Sequence, residues 1–101
     1  MKFEVKYVEF NINPESSIYS EKFIIAFERS LNKYASNTRI TLERDYWDEE
    51  KGIVKIALQK HIALSTFCNI LNSIQNNSRV IYSSINYECN TCRAVVNVKI
   101  C

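Results

Sequence analysis

The chain has 101 residues, of which 47% are hydrophobic and 24% charged, and its formal net charge at pH 7 is +2. A chain of this length and composition is neither disordered nor dependent on metal or disulfide support, so we predict a single globular domain over residues 1–101. The small net charge excludes any partner that would be attracted by a strong electrostatic field alone, such as nucleic acid, a membrane surface or an acidic substrate.

The cellular location is predicted from two negative features. The longest apolar runs are short, such as Ile24–Phe27, so no segment is expected to span a bilayer. The first ten residues alternate charged and apolar side chains, which a signal peptide does not do. We therefore expect a cytoplasmic protein with no membrane contact, in which the four cysteines stay reduced.

Alternation predicts a first strand over Lys2–Ile12. The side chains expected to face the core are Phe3, Val5 and Tyr7. Those expected to face outward are Lys2, Glu4 and Lys6. Beyond Tyr7 the apolar phase changes to Val8, Phe10 and Ile12, which indicates a bulge or the end of the strand.

The first helix is predicted from Ser20 to Ala35, with Ser20 as a cap. An earlier start at Asn13-Pro14-Glu15 is also indicated, because Asn caps helices well and Pro suits the first helical position. The buried stripe that helical spacing predicts is Phe23, Ile24, Phe27, Leu31 and Tyr34.

A hairpin is expected next, with strands Thr38–Trp47 and Gly52–Lys60. The inward residues of the first strand are predicted to be Ile40, Leu42 and Tyr46, and those of the second are Val54, Ile56 and Leu58. The turn between them needs a left-handed residue, which Gly52 adopts easily. In the predicted register Asp45 faces Lys55 and Trp47 faces Ile53.

A second amphipathic helix is predicted over His61–Gln75, and a terminal hairpin over Arg79–Cys101 with Asn90-Thr91 as its turn. The helix's apolar residues are Ala63, Leu64, Phe67, Ile70, Leu71 and Ile74. In the hairpin, the residue numbers of cross-strand partners are predicted to sum to 181. This register separates an apolar face from a mostly polar one. The apolar-face pairs are Tyr87 with Ala94, Ile85 with Val96, Ser83 with Val98, and Ile81 with Ile100. The polar-face pairs are Glu88 with Arg93, Asn86 with Val95, Ser84 with Asn97, and Tyr82 with Lys99.

The element order β-α-β-β-α-β-β predicts an α+β fold of the ferredoxin-like type. We expect an antiparallel-type sheet with strand order 5-4-1-3-2 and both helices on one face. The terminal hairpin would then extend one edge, with its last strand outermost.

The Cys89-Asn90-Thr91-Cys92 segment is a C-x-x-C motif, found in redox dithiols and in half-sites for zinc. At a hairpin tip it lacks the helix dipole that activates redox thiols, and zinc would need two further ligands. Cys68 and Cys101 are expected to lie too far from the tip, which leaves only His61. Unlinked thiols, a disulfide, a metal shared between chains and catalysis all stay open; we predict no cofactor and no complete metal site within one chain.

Other chemistry has little support in the sequence. His61, the one histidine, has no orienting partner and is interpreted as a polar helix-start residue. The acidic residues Asp45, Asp48, Glu49 and Glu50 belong to an exposed hairpin and its turn, where such side chains serve solvation and turn geometry. No phosphate-binding or hydrolase motif occurs, and one glycine cannot supply a phosphate cradle.

Nucleic-acid recognition by the open face of the predicted sheet would need aromatic residues on the central strands, because ferredoxin-like RNA modules stack bases on such residues. In the predicted register no aromatic residue lies outward on a central strand, and the outward aromatics Trp47 and Tyr82 are far apart. The basic residues of this face allow weak, non-specific binding at most.

We therefore expect a small non-enzymatic module that binds another protein through the open sheet face. The expected contact residues are Trp47, Ile53, Lys55, Tyr82 and Lys99. A viral or mobile-element inhibitor, another regulator, or a subunit of a homodimer fits this description. The alternatives are a nucleic-acid-binding regulator that uses the basic residues of the same face and a metal- or redox-responsive module that uses Cys89 and Cys92.

Overall fold

A computed structural model describes residues 2–34, 42–48, 50–77 and 79–101, with only the backbone described at 42–45. Its elements, in chain order, are strand β1 (Glu4–Ile12), a 3₁₀ helix (Pro14–Tyr19), helix α1 (Ser20–Tyr34), strands β2 (Leu42–Asp48) and β3 (Ile53–Ala63), helix α2 (Leu64–Asn77), and strands β4 (Val80–Glu88) and β5 (Arg93–Ile100). The α+β class is confirmed. Predictions that fall on residues 35–41 and 49, and on the side chains of Leu42 and Asp45, lie outside the described part.

One hydrophobic core lies between the two helices and one face of the sheet. Phe10 of β1 meets Phe23 and Phe27 of α1 edge-on, with ring centroids 4.9 and 5.1 Å apart. Phe27 in turn meets Phe67 of α2 at 6.1 Å. Most of the predicted helix stripes are buried here. Tyr34, at the end of α1, and Ala63, which belongs to β3, are exposed, and Leu64 is half-buried.

The predicted strand order is wrong at one edge of the sheet. The observed order is β2-β3-β1-β5-β4, so β5, not β4, lies beside β1 and runs parallel to it. The sheet is therefore mixed, and the predicted antiparallel-type, ferredoxin-like arrangement is wrong. The physical reason lies in composition: β5 buries Ala94, Val96 and Val98 and half-buries Val95, whereas β4 is mostly exposed. The more apolar strand takes the interior position and the more polar one forms the edge.

Strand β3 is longer than predicted, and α2 starts later. His61 and Ala63 belong to β3, where Ala63 pairs with Glu4 and Ile62 with Val5 of β1. The buried Ile62 continues the inward face of the strand, so pairing with β1 outweighs the helical spacing seen in the sequence. The expectation that His61 begins a helix is therefore wrong.

Strand β1 contains the irregularity that its sequence indicated. Its pairing with β3 shifts between Val5 and Tyr7, so Lys6 lies at a bulge. Val5 faces the core before the bulge, and Val8, Phe10 and Ile12 face it afterwards. Tyr7 consequently pairs with Ala57 and Arg93 on the open face, and its predicted inward orientation is wrong.

Strand β2 has a second register shift, between Arg44 and Tyr46. Tyr46 therefore pairs with Lys55, and Trp47 with the buried Val54. The predicted pairing of Asp45 with Lys55 and of Trp47 with Ile53 is wrong by one residue. A one-residue shift exchanges the two faces of a strand, so Trp47 packs against the core and Tyr46 faces outward.

The terminal hairpin has a third shift, between Tyr82 and Ser84. The predicted register, in which the residue numbers of partners sum to 181, is confirmed from the pair Ser84–Asn97 to the pair Glu88–Arg93. Ile85 lies opposite Val96, as predicted. Beyond the shift Tyr82 pairs with Val98 and Ile81 with Lys99, so the predictions for this end are wrong. Tyr82 faces the core because of this bulge.

Gly52 is confirmed as the left-handed turn residue, with a φ of 69°. Its carbonyl accepts a hydrogen bond from the Ile12 amide (2.8 Å), and an added Cβ would collide with the Ile12 carbonyl oxygen. The turn is thus fixed against the end of β1. Neither of the two described helices is long and apolar enough to cross a membrane.

Candidate functional site

The sheet face opposite the helices carries its side chains in three rows, because paired residues on neighbouring strands point to the same side. No described element packs over this face. From β2 to β4, the middle row is Tyr46, Lys55, Glu9, Val95 and Asn86. The row nearer the Cys89–Cys92 turn is, from β3 to β4, Ala57, Tyr7, Arg93 and Glu88. The third row is Asp48, Ile53, Asn11, Asn97 and Ser84.

The middle of this face is organised around one carboxylate. The Glu9 carboxylate lies 3.8 Å from the Lys55 amine and 4.0 Å from the Arg93 guanidinium. It also accepts a hydrogen bond from the side-chain Nδ2 of Asn11 at 3.1 Å. Its side chain keeps 20% of its surface exposed, against 46% for Lys55. Glu9 therefore holds two cations that both still reach solvent.

Two tyrosines flank these charges. Tyr7 is 39% exposed and pairs with Arg93, and Tyr46 is 44% exposed and pairs with Lys55. The Lys55 amine lies 5.5 Å from the Tyr46 ring centroid, a cation–π distance. We call Tyr7, Glu9, Tyr46, Lys55 and Arg93 the Glu9 patch. It combines two aromatic rings, two cations and a central acceptor on one face, which can contact a polar and aromatic surface.

Two of the predicted contact residues lie on the wrong face to contribute to this patch. Trp47 is half-buried against the core. The Tyr82 ring lies 6.5 Å from Phe23, and its hydroxyl donates a hydrogen bond to the Leu71 carbonyl at 2.9 Å. Burial also raises the pKa of the Tyr82 hydroxyl above its ordinary value of 10.0. Both residues stabilise the fold, and their predicted outward orientation is wrong.

The other three predicted contact residues do lie on the open face. Lys55 belongs to the Glu9 patch, and Ile53 lies in the row beside it. Ile53 and Lys99 also line a shallow groove of about 450 Å³ at the end of the sheet near Pro14. Asn11, Asn97 and Lys51 contribute to the same groove, so polar and basic side chains border a lining that is mostly apolar.

Sequence reasoning missed Tyr7, Glu9, Tyr46 and Arg93 as one group. A signal for two of them was present: once Val8, Phe10 and Ile12 are the inward set, alternation puts Tyr7 and Glu9 outward. For Arg93 the missing information was the position of β5 beside β1. For Tyr46 it was the bulge in β2, which the sequence does not mark.

The Cys89–Cys92 turn lies at the end of the sheet where β1 begins. Cys92 has a φ of 52°, and its carbonyl accepts hydrogen bonds from the Lys6 amide (2.8 Å) and the Tyr7 amide (3.1 Å). The Tyr87 hydroxyl next to the turn donates to the Glu4 carbonyl at 2.6 Å. Desolvation raises the pKa of this hydroxyl, and the hydrogen bond to the Glu4 carbonyl offsets only part of that rise.

The remaining candidates for chemistry stay apart. None of the four cysteines is in a disulfide, and Cys89 and Cys92 are both half-buried. In the described ranges no three His, Cys, Asp or Glu side chains are grouped so that they could hold a metal, and His61 is exposed on β3. Asp48 accepts hydrogen bonds from the Lys51 amide and the Tyr46 hydroxyl, the turn role that was predicted for it.

A second cavity lies on the helix side of the molecule. It has a volume of about 180 Å³ and is almost wholly apolar, and its walls come from both helices and the ends of β4 and β5. The residues that line it are Tyr19, Lys22, Phe23, Ala26, Ile74, Val80 and Ile100. It has no convergent polar groups, which a specific small-molecule site needs for orientation.

Comparison with known proteins identifies no relative. No protein-family model matches the chain, and neither the curated proteins nor the solved structures contain a significant match.

Proposed function

We propose that this protein is a small non-enzymatic module that binds another protein through its open sheet face, with the Glu9 patch at the centre of the contact. The observation that carries the proposal is the grouping of Tyr7, Tyr46 and Arg93 on one exposed surface. Tyr and Arg are the residue types most enriched, with Trp, among those that dominate binding energy at protein interfaces.

The arrangement of charges around Glu9 supports the same proposal. Lys55 and Arg93 are both held near the Glu9 carboxylate, so part of their side-chain freedom is lost before a partner arrives. Ordering of long side chains is one of the costs of association, and prior ordering reduces it. The polar residues Asp48, Ser84, Asn86 and Glu88 lie on the two edge strands, as polar residues do at the rim of an interface.

The role we propose is that of a regulator or inhibitor that acts by occupying a surface of its partner in the cytoplasm. A homodimer through the same face is the alternative form of this proposal. In the homodimer, the Glu9 patch of one chain would contact the Glu9 patch of a second chain. Self-association would then depend on Tyr7 and Tyr46.

Affinity capture with cross-linking from the native cell tests the proposal when two variants are compared. Tyr7→Ser with Tyr46→Ser removes both rings of the Glu9 patch. Tyr19→Ser with Tyr34→Ser is the matched control, since these exposed tyrosines lie on the helix side. We expect one protein to be captured by the wild type and the control and lost by the patch variant, with nuclease treatment having no effect. Equal capture by the two variants would show that the open face is not the binding surface.

Once the partner is isolated, its binding kinetics give a second test. Reversing a rim charge with Lys99→Glu should lower mainly the association rate and weaken its salt dependence. Tyr46→Ala should raise mainly the dissociation rate, because a desolvated aromatic ring at an interface contributes about 2 kcal/mol or more. If both variants change only the association rate, the tyrosine does not enter the contact.

A second candidate function, binding of single-stranded nucleic acid, is favoured by the position of Tyr7. It lies outward on the central strand β1 beside Arg93, and central-strand aromatics of open sheets stack on bases. In this case oligonucleotide affinity should fall steeply between two salt concentrations, with similar losses for Lys55→Ala and Arg93→Ala. Tyr7→Phe should keep the affinity and Tyr7→Ala should lose it. Fluorescence anisotropy with labelled oligonucleotides measures both effects.

A further inference from the structure

The turn that carries the C-x-x-C motif has an unusual backbone at its second cysteine. Cys92, with its φ of 52°, has the one positive φ of a non-glycine residue among the described residues. This left-handed conformation suits glycine or asparagine and is unfavourable for a side chain such as cysteine. A backbone outlier of this kind indicates that the side chain at the position serves a purpose other than local folding.

The strained turn is also held rigidly. The Cys92 carbonyl accepts hydrogen bonds from two successive amides, those of Lys6 and Tyr7, at the β1 bulge. The Cys92 amide donates to the Cys89 carbonyl at 3.3 Å, which closes the turn. The C-x-x-C segment is therefore fixed to the central strand of the sheet, and its two cysteines are positioned before any ligand binds.

The two thiols are presented together and remain accessible. The Cys92 sulfur lies 3.8 Å from the Cys89 carbonyl oxygen, so the second thiol is placed against the backbone of the first cysteine. Both cysteines are half-buried, and neither belongs to the hydrophobic core. The turn therefore carries two soft ligands outside the core, which is half of a tetrahedral thiolate site.

We propose that Cys89 and Cys92 form half of a zinc site that the same two residues of a second copy complete, so that one Zn²⁺ joins two hairpin tips. Zinc at a structural site takes four ligands, most often thiolates and imidazoles. Within one chain the described residues add no third ligand at this point. A second copy related by a two-fold axis supplies an identical pair, which gives a closed symmetric dimer. Each thiol releases its proton on coordination, so four protons leave for each Zn²⁺ bound.

The dimer proposed here is independent of the open sheet face. The zinc ligands lie in the turn beyond the pair Glu88–Arg93, whereas the Glu9 patch lies on the open face, with Tyr7 and Arg93 at its edge nearest the turn. No zinc ligand belongs to the patch, so Cys89→Ser removes the zinc site and leaves every patch residue in place. Loss of the zinc site and loss of partner binding can therefore be measured separately.

Zinc titration of the reduced full-length protein tests the proposal. Native mass spectrometry with a non-thiol reductant present should show a dimer that contains one Zn²⁺ for two chains. Co²⁺ in place of Zn²⁺ should give the visible absorption of tetrahedral tetrathiolate coordination. Cys89→Ser should abolish both the bound metal and the dimer. Cys68→Ser and Cys101→Ser are the matched controls and should keep both.

Cys92→Gly separates ligand loss from misfolding, because glycine suits the left-handed backbone at this position. Without zinc, its urea midpoint should equal or exceed that of the wild type, while zinc-dependent dimer formation is lost. One Zn²⁺ bound by a monomer, absence of zinc binding at micromolar concentrations, or a zinc-linked dimer in Cys92→Gly would each overturn the proposal. A Cys89–Cys92 disulfide that persists in the reductant would overturn it as well.

Discussion

Replacement of Phe27 by alanine is the most direct test of how the two helices cover the sheet. The side chain is fully buried and meets Phe10 and Phe67 edge-on, so it links β1, α1 and α2. A Phe→Ala change in a core costs about 3–5 kcal/mol. Edge-to-face pairs contribute about 0.5–1.5 kcal/mol each beyond buried area, so Phe27→Ala should lose well above the lower limit of that range, about 4 kcal/mol.

Urea unfolding followed by circular dichroism measures this loss. With a denaturant slope of about 2 kcal/mol/M, a loss of about 4 kcal/mol lowers the midpoint by about 2 M. Ile25→Ala is the control, since Ile25 lies on the outer side of the same helix and is 39% exposed. Phe67→Ala should also lower the free energy of unfolding by about 3–5 kcal/mol. The double variant should lower it by less than the sum of the two single changes, because the two rings are in contact. A Phe27→Ala midpoint equal to that of Ile25→Ala would refute the proposed packing.

Three further predictions concern single positions. Gly52→Ala should lower the free energy of unfolding by about 1–3 kcal/mol, because of its positive φ and the collision of the new Cβ with Ile12; an unchanged urea midpoint would contradict this. Trp47→Ala should lower the free energy of unfolding by about 2 kcal/mol or more, and Tyr46→Ala by less than about 1 kcal/mol, because Trp47 packs on the core and Tyr46 faces outward. Equal losses for the two variants would show the β2 register to be wrong. For Tyr82, burial raises the folded-state pKa above 10.0, so the unfolded chain ionises first and stability should fall as pH rises past 10.0. Tyr82→Phe should show a smaller fall, and identical stability–pH curves for the two proteins would refute the assigned cause.

The local features of the fold could be predicted from the sequence because they depend on short-range periodicity. The stripe of α1 follows from 3.6-residue spacing, and the inward set Val54, Ile56 and Leu58 of β3 follows from alternation. Gly52 was identifiable as the turn residue because no other glycine exists in the chain. The hairpin register near Glu88 and Arg93 followed from separating apolar from polar faces.

The strand order could not be derived from the same local rules. Either strand of the terminal hairpin can pair with β1, antiparallel through β4 or parallel through β5. The choice depends on burial of both faces of the strand, which is a property of the whole sheet. The run Ala94-Val95-Val96 is apolar at consecutive positions and so favours an interior strand, whereas Ser83-Ser84 favours an edge.

The bulges decide which residues are available for function, and they are the features that the sequence marks least. A single extra residue exchanges the faces of everything beyond it. The shifts in β2 and β4 turn Trp47 and Tyr82 toward the core, while those in β1 and β2 turn Tyr7 and Tyr46 outward. The open face therefore carries two aromatic residues, as predicted, but Tyr7 on the central strand β1 replaces Tyr82 on the edge strand β4, and Tyr46 replaces its neighbour Trp47 on β2.

The β1 bulge also connects the two sites proposed here. Its amides at Lys6 and Tyr7 both bond to the Cys92 carbonyl, and Tyr7 itself enters the Glu9 patch. A regular strand would present these two amides to opposite sides and could not bring both to one acceptor. The irregularity therefore fixes the left-handed turn at the C-x-x-C motif and at the same time places an aromatic ring on the open face. Because both consequences follow from one local distortion, a variant that removes the bulge should alter zinc-linked dimer formation and partner binding together, whereas Cys92→Gly should alter only the first.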